Sequence, residues 1–577
     1  MRKTKIVCTI GPASEHPEQV RRLLEAGMDV ARLNFSHGSH EEHGRRIAVL
    51  RDEAAKIGRH LAIVLDTKGP EIRTMKVPEQ GAALAQGDTF VLDTNPELGS
   101  QERVGITYPN LWQEVSPGGH ILIDDGQMDL EITAVEKEKI TTVVCNGGLL
   151  KSQKGVNVPG VSIQLPAVTE KDIADIKFGI VQGVDFIAAS FTRKAADVLA
   201  VRKIVEEAGA DIHIIAKIEN QEGLENLDAI LQVTDGLMVA RGDLGVEIPA
   251  EEVPISQKEM INKCNLLGKP VIVATQMLDS MIRQPRPTRA EASDVANAII
   301  DGADAIMLSG ETAAGQYPVE AVKMMDKIAR RTETIVADKT KERHPQLNAA
   351  EAISHASCTI AEDLFAAAIL TPTHSGLTAR MISKYRPHCP IVAATPYVGA
   401  ARKLALQWGV QPLLVSESTG TDQVMSVAVT AALQHNLIKT GDAVVITAGV
   451  PAGQVGTTNM VKVQIVGNII TKGSGIGRKS YTGTARVITS PDRDAFNQGD
   501  VLVASAIDAD FMPLVAQAGA LIVEEGGLTS SAAIAALHYG IPAIVGAQEA
   551  IKNIPQGQTI TVDAYAGIVY EGTVTIF

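Results

Sequence analysis

His213-Ile-Ile-Ala-Lys-Ile-Glu-Asn220 is a short aliphatic run that closes on charge. Runs of this kind read as strands buried on both faces of a parallel sheet. Seven others share the design: Thr4 to Ile10, Val30 to Phe35, Leu61 to Leu65, Phe186 to Ala189, Gly236 to Ala240, Pro270 to Thr275 and Ala305 to Leu308. Helical stretches separate them. Eight strands alternating with helices over roughly 240 residues predict a TIM (β/α)8 barrel within an α/β protein. The barrel is assigned to residues 1–70 and 168–337, with an interruption after its third strand.

The interruption, residues 71–167, has alternating segments at Phe90 to Leu92, His120 to Ile123 and Leu130 to Val135. Turn signals stand at Asp125-Gly126 and Asn146-Gly147-Gly148, so this stretch is expected to be a small all-β insert. A polar stretch, Asp338 to Asn348, leads into a further α/β unit, residues 338–471, with strands near Ala367 to Leu370, Pro390 to Ala394, Pro412 to Val415 and Ala443 to Thr447. Lys472-Gly-Ser-Gly-Ile-Gly-Arg478 reads as a flexible connector to a last domain, residues 479–577. Its Gly473-x-Gly475 lacks the strand-turn-helix context of a dinucleotide loop.

Composition narrows the class. A chain of 577 residues exceeds one hydrophobic core, and three or four folded units are expected. A net charge of −14 without a basic tract disfavours nucleic acid as a partner. Cys8, Cys145, Cys264, Cys358 and Cys389 are scattered and form no Cys-x-x-Cys pair, which argues against a disulfide framework or a structural zinc site and for a reducing cytoplasm. The apolar run within Met1 to Ile10 is too short for a signal peptide. Nor does any stretch reach the ~18 apolar residues of a membrane span.

In a TIM barrel the working residues stand at the C-terminal ends of the strands and in the loops beyond them. Strand alternation puts Arg32, Asn34 and Ser36 on one side of the second strand, and Lys217 with Glu219 on one side of the fifth. The third ends Asp66-Thr67, the sixth Arg241-Gly242-Asp243, and the seventh Thr275-Gln276. A structural ion pair would account for Lys217 and Glu219 taken alone. So many polar groups on one rim are costly to desolvate and point instead to a working site. Glu219 and Asp243 suit Mg²⁺ or Mn²⁺, with water and substrate oxygens in the other positions. Lys217 beside them suits a phosphoryl group in transfer. Asn34, Ser36, Asp66 and Thr67 offer hard oxygens with one formal charge, which fits a monovalent cation, although loop hydrogen bonding would explain them as well. Gly242 lets a ligand approach the backbone closely.

These stretches resemble pyruvate kinase. Thr9-Ile-Gly-Pro-Ala-Ser14, Arg32-Leu-Asn-Phe-Ser-His-Gly38, Asp66-Thr-Lys-Gly-Pro-Glu-Ile-Arg73, Lys154-Gly-Val-Asn157, Lys217-Ile-Glu-Asn220, Ala240-Arg-Gly-Asp-Leu-Gly245 and Ala274-Thr-Gln-Met-Leu278 are similar to that family's signatures, in order. The resemblance implies transfer of the phosphoryl group of phosphoenolpyruvate to ADP, giving ATP and pyruvate. It implies that Glu219 and Asp243 hold Mg²⁺, that Lys217 stabilises the phosphoryl in flight, and that Arg32, Gly242, Asp243 and Thr275 bind substrate. It further implies K⁺ on Asn34, Ser36, Asp66 and Thr67, nucleotide contacts from Asn34, Phe35, Ser36, His37, Arg73 and Lys154, and an insert that acts as a lid. In the family Glu at the position of Glu71 accompanies K⁺ dependence, so K⁺ is expected to be required. Thr275, acting through water, is the candidate proton donor to the enolate.

Thr371-Pro-Thr-His-Ser-Gly-Leu-Thr378 follows a strand and opens a helix, a place where anions are favoured, although an ordinary N-cap would look the same. The resemblance places a sugar-phosphate effector on Thr373, Ser375 and Thr378. Gly449-Val450-Pro451 replaces the Trp-Arg pair of members that use fructose 1,6-bisphosphate, which favours AMP or ribose 5-phosphate. It also implies a homotetramer in the cytoplasm. The tail resembles the swivelling phosphohistidine domain of phosphoenolpyruvate-utilising enzymes through Gly526 to Ala533 and Gly540 to Gly546. Ser531 stands where that domain has its phosphorylated His, which puts a phosphocarrier role in doubt, and His538 reads as a surface or packing residue. The competing functions are a Mg²⁺-dependent carbon–carbon lyase on the same barrel and a non-catalytic sugar-phosphate sensor.

Overall fold

The computed structural model of the chain describes every residue except 96, 337–347, 419, 451–457, 491–495, 575 and 577. Most of the expected polar stretch between barrel and third unit therefore lies outside the described residues, as does Pro451. Two compact units are present. The first comprises Met1–Arg343 together with Ser383–Arg386 and Tyr397–Pro412. The second holds the remaining chain.

Eight parallel strands close the barrel of the first unit: Lys5–Thr9, Val30–Asn34, Ala62–Asp66, Phe186–Ala189, His213–Ile218, Gly236–Ala240, Val271–Ala274 and Ala305–Leu308. The expected runs overshoot some of these ends, as at Thr4, Ile10, Phe35, Pro270 and Thr275, and the third stops one residue short of Asp66. Alternation along each strand sends Val7, Val64, Ile215, Met238 and Met307 into the barrel interior and Ile6, Ile63, Ile214 and Leu237 outward against the helices. Ala405 and Leu406 also pack into the interior cluster, a role that their position in the expected third unit did not announce. Each polar strand end is thereby fixed on a close-packed frame.

The insert is all-β. A six-stranded sheet runs in the order Val156–Asn157, His120–Ile123, Met128–Glu136, Lys139–Asn146, Thr89–Asp93 and Arg103–Gly105. Asp124, Asp125 and Gly126 all adopt positive φ at the turn of the hairpin between His120–Ile123 and Met128–Glu136, as I′-like hairpin geometry requires. The second expected turn differs: Gly148–Leu150 is a strand paired with Ala82–Leu84.

In the second unit the strands Ile391–Thr395, Ala368–Pro372, Ala443–Gly449 and Thr458–Ile465 run side by side in one sheet. The last of these pairs antiparallel and was not expected. The connector reading of 472–478 is wrong. Ile469–Lys472 and Ser474–Ile476 are strands of the C-terminal eight-stranded sheet, paired with Ile568–Glu571 and Ala543–Val545. Their glycines serve close approach rather than flexibility: a Cβ on Gly475 would lie 2.0 Å from the Ala564 carbonyl oxygen. All five cysteines are free, and no helix among the described residues is long and apolar enough to cross a membrane.

Candidate active site

The C-terminal mouth of the barrel gathers one buried ionic network. The Lys217 ammonium lies 3.1 Å from Asp66 and 3.0 Å from Glu219, and donates to Ser190 Oγ at 2.7 Å. Arg32 donates to the other oxygen of Asp66 at 2.5 Å and to Thr9 Oγ1 at 3.0 Å. Asp66 thus sits between two cations, one from the second strand and one from the fifth. Strand register accounts for this, because Asn34 pairs with Asp66 and Arg32 with Val64 across the second and third strands.

Ser190 was not anticipated. Its hydroxyl is within reach of Asp66 Oδ1 at 3.0 Å and of the Thr67 carbonyl at 2.7 Å. The signal was available, since Ser190 directly follows the fourth strand at the same barrel end as the other polar groups. Three non-glycine residues at this rim adopt left-handed backbone: Phe191 (φ 54°), Thr275 (φ 68°) and Gln276 (φ 53°). For a β-branched Thr that conformation is strained, and strain of this kind concentrates at functional positions. It aims Phe191 N–H at Glu219 Oε2, and Thr275 Oγ1 at Gly242, whose N–H it accepts at 2.8 Å. Thr275 Oγ1 itself donates to the Ala274 carbonyl at 2.7 Å.

Electrostatics divide the acidic groups in two. Burial would raise the Asp66 carboxyl, but Arg32 and Lys217 outweigh it and hold Asp66 ionised. Burial would lower Lys217, yet Asp66 and Glu219 keep it firmly charged. Glu219 is instead pushed up to about 7, by burial above all and by the charge of Asp243, against the pull of Lys217. Asp243 is likewise raised by burial, with Asp125 of the insert adding to the effect while Lys217 opposes it. Glu219 and Asp243 stand within hydrogen-bonding reach of one another. Two buried carboxyls that resist sharing negative charge fit a divalent cation, which supplies the missing positive charge and prefers hard oxygen ligands.

The proposed nucleotide residues fall into two groups. Arg73 and Lys154 line a cavity of about 390 Å³ between insert and barrel, together with Asp124, Asp243 and Glu247. Both cations are currently paired, Arg73 with Glu71 at 2.5 Å and Lys154 with Asp124 at 2.7 Å. Asn34, Phe35, Ser36 and His37 do not line this cavity. Asn34 Oδ1 accepts from the Ser36 N–H at 3.1 Å, while Thr67 Oγ1 donates to the Ala188 carbonyl at 3.2 Å. The Phe35 ring is buried and stacked on His43 at 3.9 Å, while its N–H donates to the Asp66 carbonyl and its carbonyl accepts from Lys171 Nζ.

In the second unit Thr373 Oγ1 accepts from Gly376 N–H at 3.0 Å and Thr378 shares a buried hydrogen bond of 2.8 Å with Thr458. Ser375 between them is exposed. In the tail, Ser530 caps the helix Ser531–Tyr539, and Ser531 is its first residue.

Comparison with known proteins agrees along the whole chain. A family model described as the barrel domain of pyruvate kinase matches residues 1–322, and one described as its alpha/beta domain matches residues 351–464. The mobile domain of PEP-utilising enzymes matches residues 496–567. Among similar curated proteins are pyruvate kinases of Geobacillus stearothermophilus, 56% identical, and Bacillus licheniformis, 54% identical, each over 100% of both chains. That of Staphylococcus aureus (strain MRSA252) is 51% identical over 99% of both.

Proposed function

This chain belongs to the pyruvate kinase family, and we propose a division of labour in which Lys217 meets the phosphoryl group as it passes from phosphoenolpyruvate to ADP. The reaction is that of a phosphotransferase, yielding ATP and pyruvate, and metal dependence comes with the family. The observation that carries the proposal is the placement of Lys217, charged and buried, between Asp66 and Glu219 and beside the raised carboxyl of Asp243. Asp66 keeps Lys217 oriented without neutralising it for a ligand, because Arg32 shares the same carboxylate.

Glu219 and Asp243 would hold Mg²⁺ (or Mn²⁺), which when bound supplies charge compensation to phosphoryl and enolate oxygens. Arg32 and Lys217 compensate the phosphoryl from the protein side, where low dielectric strengthens each contact. The Gly242 N–H, now given to Thr275 Oγ1, would turn to a substrate oxygen, and Thr275 would pass a proton through water to the enolate. K⁺ would lie against Asn34, Ser36, Asp66 and Thr67. ADP would enter the cavity under the insert, where its phosphates exchange for the carboxylates now pairing Arg73 and Lys154, while Asn34, Phe35, Ser36 and His37 meet it from the rim. Closure of the insert, residues 71–167, would exclude water from the transfer.

We further propose that AMP or ribose 5-phosphate regulates the enzyme at Thr373, Ser375 and Thr378, and that it works as a cytoplasmic homotetramer. The domain division we favour is 1–70 with 168–337, 71–167, 338–468, and a last domain that begins at Ile469, with the first strand of the C-terminal sheet. Pyruvate release from phosphoenolpyruvate, measured with and without ADP, tests the central reading. ADP-dependent pyruvate is expected. ADP-independent pyruvate would mean transfer of the phosphoryl group to water, and none at all would point to a lyase with another substrate or to a sensor.

A further inference from the structure

We propose that the outer face of the insert carries a binding site for a zinc-class divalent cation, formed by His120, Asp129 and Cys145. These residues lie on three successive strands of one sheet, His120–Ile123, Met128–Glu136 and Lys139–Asn146. Alternation turns Ile121, Leu130 and Val144 into the insert's core, and so leaves His120, Asp129 and Cys145 together on the opposite face. An imidazole nitrogen, a carboxylate oxygen and a thiol sulfur all fall within 4.8 Å of one another. His120 Nδ1 is 2.7 Å from Asp129 Oδ1. Cys145 Sγ makes a long 3.9 Å contact with the Val143 carbonyl.

The donor set selects the ion. Thiolate and imidazole are poor ligands for Mg²⁺ or K⁺ and good ones for Zn²⁺ or Co²⁺. Zinc bonds of about 2.0 Å to nitrogen or oxygen and about 2.3 Å to sulfur require ligand atoms slightly closer than the present spread. Rotation of the Cys145 and His120 side chains, both of which border solvent, closes that difference. Three protein ligands leave a fourth tetrahedral position for water. The thiol gives its proton to solvent as the Cys145–metal bond forms. A plain His120–Asp129 ion pair explains two of the three residues and leaves the thiol beside them without a purpose.

None of the three lines the cavity that holds Asp243. Two of them, however, lie on the strands of the hairpin whose tip, Asp124 and Asp125, does line it. An ion here would clip three strands together behind the edge of the cleft.

The test uses the full chain saturated with Mg²⁺ and titrated with Co²⁺. One equivalent should bind with a thiolate-to-metal charge-transfer band in the near ultraviolet. Zn²⁺ should displace it and protect Cys145 from alkylation, read by peptide mass. His120→Gln should weaken Co²⁺ binding by roughly tenfold or more, and Cys145→Ser should abolish the band while leaving Mg²⁺-supported turnover unchanged. Absence of the band in the wild type, its persistence in Cys145→Ser, or alkylation of Cys145 at the same rate with and without Zn²⁺ would overturn the site.

Discussion

Replacing Ser190 by Ala removes one atom from the centre of the ionic network. Ser190 is 6% exposed, and Ala preserves its backbone and Cβ packing. The Lys217 ammonium has three protons and three partners: Ser190 Oγ at 2.7 Å, Glu219 at 3.0 Å and Asp66 at 3.1 Å. The variant strands one N–H in a buried site and frees the ammonium to swing towards Asp66 or Glu219. A hydrogen bond to a charged group is worth about 1.5–3 kcal/mol net. If that loss is felt in the transition state, at about 1.4 kcal/mol per factor of ten, kcat should fall roughly 10- to 150-fold. The KM for phosphoenolpyruvate should move far less, because the ammonium still faces the same ligand in the ground state. Coupling pyruvate formation to NADH oxidation measures both constants. A double-mutant cycle with Lys217→Met then separates positioning from general damage: once the ammonium is gone, Ser190→Ala should cost little more. A kcat within about twofold of wild type, or an equal cost with and without Lys217, would refute the reasoning.

Lys217→Met alone keeps most of the side-chain volume and should lower kcat by about a thousandfold or more, with the circular-dichroism spectrum unchanged; activity within tenfold would remove Lys217 from the transfer. Divalent-cation affinity should drop as pH falls through about 7, where Glu219 takes up its proton, as isothermal titration would show. Because a raised carboxyl binds its proton more tightly in the folded chain, the metal-free protein should lose stability as pH rises from the ordinary value of 4.5 to about 7; added Mg²⁺ should reverse that loss. Omitting K⁺ and every substitute monovalent cation should abolish most turnover, in keeping with Glu71, and full activity in their absence would dismiss the requirement. Gly475→Ala, whose new Cβ meets the Ala564 carbonyl oxygen at 2.0 Å, should destabilise the C-terminal sheet by about 1–3 kcal/mol, read as an earlier thermal transition.

The barrel was legible because a strand buried on both faces has little choice but Val, Ile, Leu and Ala, and eight such runs survive inspection of the sequence alone. Thr458–Ile465 escaped because it is an edge strand of mixed exposure with neither a continuous run nor a clean alternation. Gly473 and Gly475 misled for a different reason. Glycine marks either freedom or crowding, and only the proximity of Val545 and Ala564, some 70 to 90 positions away in the chain, shows that here it marks crowding.

The active-site residues reveal the same limit in charge. Counting formal charges along the second and third strands gives Asp66 as the one anion among neutral oxygens, which suggests a monovalent cation and nothing more. The fold brings Lys217 from the fifth strand and Arg32 from the second onto that same carboxylate, which thereby sits between two cations. Glu219 shows the converse. Beside Lys217 in sequence it reads as half of an ion pair, yet burial and Asp243 leave its charge under-compensated. Sequence therefore locates polar groups at a strand end well, because period and register are local. It assigns their electrostatic roles poorly, because those depend on charges that arrive from other strands and on water that the fold removes.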